Sequence, residues 1–175
     1  SAAAVFLLSK DARRCRRFCD DFFISELTGN TLNMHYIVAN PANYGIESYT
    51  PVLPSYSQER KNNSIQELTS ALETLHSINS EKLDGKGNYT YRLMLPYLEN
   101  DRKGMLLFYY ANPLSPSSGM QSQLPILLAE YTFRSKQDVA DYLALLDQTD
   151  TYFEGIGEYL HEQAKEGLFM PDYSV

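Results

Sequence analysis

The residue types that most often bind metal ions are few and scattered in this sequence. Its three histidines, His35, His76 and His161, lie far apart in the chain. The short motif of zinc proteases needs two histidines at positions i and i+4, which share one face of a helix, with a glutamate beside the first. His161 is followed by Glu162 and, four residues later, by Glu166, but no second histidine is present. We interpret this segment as the polar stripe of an amphipathic helix.

The two cysteines are also a poor basis for a metal site. Cys15 and Cys19 are one helical turn apart on an apolar stripe, and the sequence offers no second pair of zinc ligands. Free cysteine commonly behaves as a small buried hydrophobic residue, which is the interpretation we favour. A disulfide between them is geometrically poor, because Cβ atoms one turn apart on a helix are separated by ~5–6 Å.

Signatures of nucleophilic catalysis and of phosphate binding are absent as well. The sequence contains no Gly-x-Ser-x-Gly elbow and no glycine-rich phosphate loop. Fifteen Lys and Arg residues against 22 Asp and Glu give a net charge of −7. Affinity for nucleic acid depends on clustered cations, so this charge argues against a nucleic-acid partner. We therefore predict no catalytic residue and no metal site in this chain.

Two features remain with functional potential. Glu130 interrupts an otherwise apolar segment, so it needs a cation or a hydrogen bond if it is buried, and the alternative is an outward-facing position. The chain also has 14 tyrosines and no tryptophan. A ring with a polar tip suits a peptide-binding surface, and it equally suits the margin of a helical core. The tyrosines considered for such a surface are Tyr44, Tyr49, Tyr109, Tyr110 and Tyr131.

The elements that position these residues are predicted to be helices, about six in all. Apolar residues recur at helical spacing over residues 9–27, 57–79 and 150–166. A kinked helix or two shorter ones are expected between Tyr89 and Tyr110, because Pro96 removes a backbone donor. Two shorter helices are expected over residues 124–131 and from the N-cap Ser135, where Asp138 completes a weak capping box. Gly167 is placed to end the last helix in the left-handed conformation.

Two segments are predicted to lack regular structure. Residues 31–56 contain several X-Pro and Asn-Gly-type breaks, yet they carry too much apolar and aromatic material to remain solvated. Residues 112–119, rich in Pro and Ser, form the clearest loop. The fold class we predict is therefore all-α, an irregular multi-helix bundle with a long ordered loop. The longest apolar run, Ala2–Leu8, is far shorter than the ~20 residues that span a bilayer, so no membrane span is expected.

Four segments of the chain resemble a known family. They are NTLNMHY (30–36), NPANYGI (40–46), NPLSPSSGMQSQLPILLAEY (112–131) and GLFMPD (167–172). Together they resemble the N-terminal part of the bacterial proteins of domain-of-unknown-function family 885, over nearly the whole chain. The segment from the Pro-Leu-Ser-Pro loop to Ala-Glu-Tyr is the most specific part of this resemblance.

The resemblance implies a parent protein of several hundred residues, similar to helical zinc metallopeptidases, many of which are exported or lipid-anchored. Their zinc site consists of a His-Glu segment, a Gly-His-His segment and a later Glu, all in the C-terminal portion and none present in this sequence. On this basis we expect residues 1–175 to form a single helical domain that is an N-terminal fragment, with zinc bound only by the remaining C-terminal part. The expected partners are that part and a peptide substrate, in an extracytoplasmic or cell-envelope location.

The family segments also suggest where substrate is contacted. The loop and helix of residues 112–131 are expected to face the substrate groove of the parent peptidase. The candidates for lining that cleft are Gln121, Gln123, Glu130, Tyr131 and Tyr110. The alternative to a cleft wall is a free-standing extracytoplasmic helical module that binds a peptide or protein through its tyrosines and its long loop.

Overall fold

The computed structural model describes residues 8–169, and in this part of the chain every regular element is a helix. The all-α fold class is therefore confirmed, with seven α-helices among the described residues where about six were predicted. Their bounds are α1 Lys10–Thr28, α2 Thr31–Ile37, α3 Gln58–His76, α4 Gly85–Gly104, α5 Met120–Ala129, α6 Lys136–Asp147 and α7 Thr149–Lys165. Short 3-10 turns cover Pro41–Tyr44, Ser80–Lys82 and Met105–Tyr110.

The chain forms two compact units, and each has its own apolar core. The first unit comprises the residues up to Phe23 and Asn62–Leu106, and the second comprises Ile24–Lys61 and the residues from Leu107 onward. Most of the apolar run Ala2–Leu8 and the last three residues of the GLFMPD segment lie outside the described residues. Within residues 8–169 no helix is long and apolar enough to cross a membrane. That the whole chain is a single helical domain stays a prediction.

The core of the first unit is built on the apolar stripe of α1. Cys15 is almost fully buried and Cys19 is partly buried, and both are free thiols. This confirms the interpretation of Cys15 as a buried hydrophobic residue. Burial raises the pKa of Cys19 to about 11, which keeps its thiol protonated. Apolar residues of α3, of the connection that follows it and of α4 complete this core. Its buried members besides Cys15 are Leu68, Leu72, Leu75, Ile78 and Leu98.

Helix α4 begins earlier than its sequence predicts and is continuous across its proline. Asp84 caps the helix by accepting a hydrogen bond from the backbone N–H of Gly87 at 2.6 Å, so residues 84–88 open a helix and do not form a turn. Pro96 lies inside α4, and the break falls after Gly104, where a 3-10 turn with a non-helical Leu107 begins. A kinked helix or two shorter ones were expected because of Pro96. The segment does divide into an α-helix and a 3-10 turn, but it divides after Gly104 and not at the proline.

In the second unit, the segment predicted to be irregular begins with helix α2. The side chain of Asn30 caps this helix by accepting from the N–H of Asn33 at 3.0 Å. Asparagine is common both just after a helix and at an N-cap, so Asn30 by itself does not reveal that a second helix follows α1. The later part of the segment has no helix beyond Pro41–Tyr44, as predicted.

That later part is fixed by long-range hydrogen bonds. The backbone N–H of Val52 donates to Thr31 Oγ1 at 2.9 Å. The side chain of Gln148 accepts from the N–H of Leu53 at 3.1 Å and donates to the carbonyl of Pro51 at 2.9 Å. The prediction of an ordered, irregular excursion is therefore confirmed for these residues. It lies against a core of Leu32, Leu53, Leu124, Tyr131, Leu145, Tyr152 and Ile156.

The two best local signals of the sequence are both present. Ser135 and Asp138 form a reciprocal capping box at the start of α6. After α7, Gly167 has a φ of +75°, in the left-handed region that L side chains rarely adopt. The N–H groups of Gly167 and Leu168 bond to the carbonyls of Ala164 at 3.0 Å and Gln163 at 3.1 Å, the Schellman pattern that ends α7.

Candidate functional site

The second unit has a concave surface along α7, which we call the tyrosine groove. Its volume is about 600 Å³, within the range of ligand pockets. Its lining residues come from α7, from the chain leading into α3 and from the 3-10 turn after α4. They are Tyr56, Ser57, Gln58, Tyr109, Gly157, Glu158, Tyr159, His161 and Glu162.

Two buried side chains of α7 hold one wall of this groove in place. The Tyr159 hydroxyl donates to the carbonyl of Phe108 and lies 3.2 Å from that of Ala111. The Gln163 amide donates to the carbonyls of Tyr109 at 2.6 Å and Ala111 at 3.1 Å. Residues 108–111 lie beyond α4, at the end of the 3-10 turn, so their carbonyls need partners elsewhere. The position of this wall is therefore set by α7.

Aromatic rings form the floor of the groove. The Tyr159 ring packs against Tyr109 and Tyr56, with centroids 5.3 and 5.7 Å apart. The Tyr109 hydroxyl donates to Gln58 Oε1 at 2.6 Å, which joins the two sides. On the same cluster, the Lys61 ammonium lies 4.8 Å from the centroid of the Tyr109 ring. This spacing is that of a cation–π contact.

The ionisable groups that line the groove are mostly acidic. Glu158 and Glu162 are both exposed there, and His161 lies between them on α7. A hydrogen bond of 2.6 Å from Lys165 lowers the pKa of Glu162. Burial, followed by the carboxylates of Glu162 and Glu166, raises the pKa of Tyr109. The Tyr109 phenol therefore stays neutral and acts as a hydrogen-bond donor.

Gly157 opens the groove to the backbone of α7. A Cβ atom built on this residue would meet no other atom within 4 Å, so packing inside the chain does not require glycine there. Glycine in the middle of a helix costs about 1 kcal/mol relative to alanine. Glycine is common where a backbone must be approached closely by a ligand. The residue thus leaves free space at the groove at a cost in helix stability.

The residues proposed from the sequence to line a cleft do not lie in this groove. Tyr110 is 66% exposed beside the groove residue Tyr109. The Gln121 side chain donates to the carbonyls of Leu114 and Ser115, at 3.4 and 2.9 Å, and so holds the Pro/Ser loop. Gln123 is exposed on α5. Glu130 is exposed at the end of α5, which is the outward-facing alternative.

The fifth candidate, Tyr131, is buried in a second polar cluster, which we call the histidine cluster. Its ring stacks on His35, which is 6% exposed, and His35 Nδ1 lies 3.7 Å from an oxygen of Asp138. Burial and the nearby Arg134 guanidinium lower the pKa of His35. Burial also raises the pKa of Tyr131 to about 12, so both rings are neutral.

The histidine cluster contains a buried carboxylate with its hydrogen bonds made. Asp141 is 1% exposed and accepts from the Tyr49 hydroxyl and, at 2.8 Å, from the Gln137 amide. The cavity beside it has a volume of about 20 Å³, which is the size of a single water-sized molecule. A substrate cannot enter such a space. We therefore assign the histidine cluster to the structure of the second unit.

Sequence reasoning missed most of the tyrosine groove. Of the tyrosines considered for a binding surface, only Tyr109 lines it. The sequence does contain one signal for this groove, the two glycines Gly155 and Gly157 inside one helical pattern. Helix interiors disfavour glycine, so such residues indicate a packing or functional reason. Within residues 8–169, no group of three His, Cys, Asp or Glu side chains is arranged to hold a metal ion.

Comparison with known proteins gives one similarity. The family model described as bacterial protein of unknown function (DUF885) matches residues 41–175. No curated protein and no solved structure is similar enough to this chain to match it.

Proposed function

This chain belongs to the bacterial family of unknown function DUF885, and we propose that it is the N-terminal, non-catalytic helical portion of a zinc-dependent peptidase or related hydrolase. In this proposal the chain supplies one wall of the substrate cleft, and the tyrosine groove is the binding surface of that wall. The family expected from the sequence is thus confirmed, and the peptidase role is our proposal. The extracytoplasmic or cell-envelope location is proposed on the same basis.

The observation that carries the proposal is the tyrosine groove itself. It combines three aromatic rings with polar groups at their rim, among them Gln58 and the hydroxyl of Tyr109. Peptides present both apolar side chains and amide groups, and tyrosine contacts both kinds of surface. The hydrogen bonds from Tyr159 and Gln163 fix the wall before any ligand arrives. Such preorganisation reduces the entropic cost of binding.

Zinc enters this proposal only through the rest of the parent protein. In a peptidase, zinc polarises the scissile carbonyl and activates a water molecule. The described residues offer no set of side chains suited to that ion, so we assign this chain no step of the reaction. Its proposed work is to bind and orient the peptide.

A second candidate function is a free-standing extracytoplasmic helical module that binds a peptide or a protein. The same groove favours it, since nothing in a binding module requires catalytic residues. The two candidates differ in what the complete gene encodes. A cleft wall needs a partner lobe with zinc ligands, whereas a module does not.

Zinc content and peptide hydrolysis, measured side by side on this chain and on the product of its complete gene, test the proposal. We expect zinc and hydrolysis in the complete product only, with Tyr109→Ala in that product raising KM more than it lowers kcat. Binding of a fluorescein-labelled pool of random-sequence octapeptides to the chain alone completes the test. Zinc-dependent hydrolysis by the chain alone would overturn the non-catalytic role, and peptide binding without hydrolysis in either protein selects the module.

A further inference from the structure

The tyrosine groove has a charge pattern that distinguishes among peptides. Its lining includes two carboxylates, Glu158 and Glu162, and no lysine or arginine. Glu162 is already paired with Lys165. Within residues 8–169, no ion pair involves Glu158. One carboxylate at the groove is therefore available to a ligand, and its field favours a positive group.

The aromatic floor favours the same sign of charge. The electron-rich faces of tyrosine and phenylalanine attract ammonium and guanidinium groups. One such cation–π contact is present inside the chain. The Lys61 ammonium lies 4.8 Å from the centroid of the Tyr109 ring and 5.4 Å from that of the Phe108 ring. Lys61 is not among the lining residues of the groove. Of the two lining carboxylates, Glu162 is paired with Lys165, so Glu158 is the carboxylate left for a cation of the ligand.

The open space above Gly157 gives a long side chain somewhere to lie. No atom of the chain lies within 4 Å of the position that a Cβ would take there. The stems of lysine and arginine are flexible methylene chains that pack on apolar surface while the charged head stays near polar groups. A backbone without a side chain at this position accommodates such a stem.

We infer that the tyrosine groove selects a lysine or arginine side chain of the bound peptide, with its stem over Gly157 and its charged head between the tyrosine rings and the Glu158 carboxylate. This inference rests on the proposed function, in which the groove binds peptides. It adds the class of substrate: peptides with a basic residue at the position that the groove contacts.

Four fluorescein-labelled peptides that differ only at one central position test the inference, with Lys, Arg, Gln or Glu in a common Gly/Ser/Ala background. Their binding to the 175-residue chain is measured by fluorescence polarisation. We expect the Lys and Arg peptides to bind about tenfold more tightly than the Gln peptide, and the Glu peptide to bind most weakly. Raising the salt from about 0.05 M to about 0.5 M should reduce this preference, because the groove is open to solvent.

Matched variants locate the effect. Glu158→Gln should remove most of the preference for Lys over Gln and leave the fold intact. Glu154→Gln removes the same charge from the same helix at a position outside the groove, and it should keep the preference. Gly157→Gln, which adds a side chain to the open space, should weaken binding of the basic peptides. Circular dichroism of each variant confirms that the helices are retained.

The outcomes separate the inference from the proposed function. Equal binding of all four peptides, or tighter binding of the Glu peptide, overturns the selection of basic residues and leaves peptide binding standing. A preference that survives in Glu158→Gln overturns the assignment to this groove, whatever the result for Glu154→Gln. Failure of every peptide to bind overturns the inference and the binding role together.

Discussion

The phenol ring of Tyr131 stacks on the imidazole of His35, with ring centroids 3.7 Å apart and ring planes 12° from parallel. Both side chains are buried, and neither His35 Nε2 nor the Tyr131 hydroxyl has a hydrogen-bond partner within residues 8–169. A neutral imidazole tolerates this environment far better than a charged one does. The stacked pair therefore links the stability of the second unit to the protonation state of His35.

That link predicts a loss of stability in mild acid. The pKa of His35 is lowered in the folded protein from its ordinary value of 6.5, because burial and Arg134 outweigh the opposing carboxylates of Asp138 and Asp141. The unfolded chain therefore binds the proton first as the pH falls. Stability contributed by neutral His35 is complete above pH 6.5 and declines below it, by at most about 1.4 kcal/mol per pH unit.

Urea denaturation between pH 5 and pH 8 measures this decline. His35→Gln should lower the free energy of unfolding and should flatten its dependence on pH below 6.5. His76→Gln, at an exposed position, should keep the pH dependence of the unmodified chain. If the His35 variant and the unmodified chain show the same slope, another group causes the decline. The exposed location of His76 makes its variant the matched control for loss of one imidazole.

Gly119 is predicted to be intolerant of alanine. It is buried where the Pro/Ser loop enters α5, and an added Cβ would overlap the backbone of Leu114 and Ser115. Backbone atoms cannot move aside as a flexible side chain can, so we expect Gly119→Ala to lower the free energy of unfolding by more than about 2 kcal/mol. Gly104→Ala is the control, since a Cβ there meets nothing within 4 Å. Similar denaturation midpoints for the two variants would contradict the prediction.

The features predicted correctly from the sequence depend on neighbours in the chain. The capping box of Ser135 and Asp138 and the left-handed Gly167 each involve groups within a few residues of one another. Helix α2 and the early start of α4 were not predicted, because short polar side chains such as Asn30 and Asp84 serve both in turns and at helix N-termini. Pro96 was given too much weight, since α4 continues through it.

The tyrosine groove could not be predicted in the same way. Its wall depends on hydrogen bonds from Tyr159 to Ala111, 48 residues away in sequence, and from Gln163 to Tyr109, 54 residues away. No local pattern specifies such pairs. Buried polar side chains on the inner face of a helix, as Gln163 is, indicate only that some partner exists.

Those hydrogen bonds give a third prediction. Gln163 is buried, and its amide satisfies the carbonyls of Tyr109 and Ala111. Gln163→Ala leaves two carbonyls without this donor, and we expect a loss of about 2 kcal/mol in the free energy of unfolding. Peptide binding should weaken as well, because the wall of the tyrosine groove is no longer held. Gln66→Ala, at an exposed position of α3, should change neither quantity appreciably.

The last prediction sets stability against binding at the two glycines of α7. Neither Gly155 nor Gly157 has an atom within 4 Å of the position of a Cβ, so alanine fits at both. Because alanine favours the helix, each substitution should raise the free energy of unfolding by about 0.5–1 kcal/mol. Only Gly157 lines the tyrosine groove, so Gly157→Ala should gain stability and lose affinity for peptides, while Gly155→Ala gains stability alone. Thermal denaturation and polarisation titrations of both variants measure the two effects. Equal peptide affinities in the two variants would show that the ligand does not use the space above Gly157. Gly157 would then destabilise the helix without contributing to peptide binding.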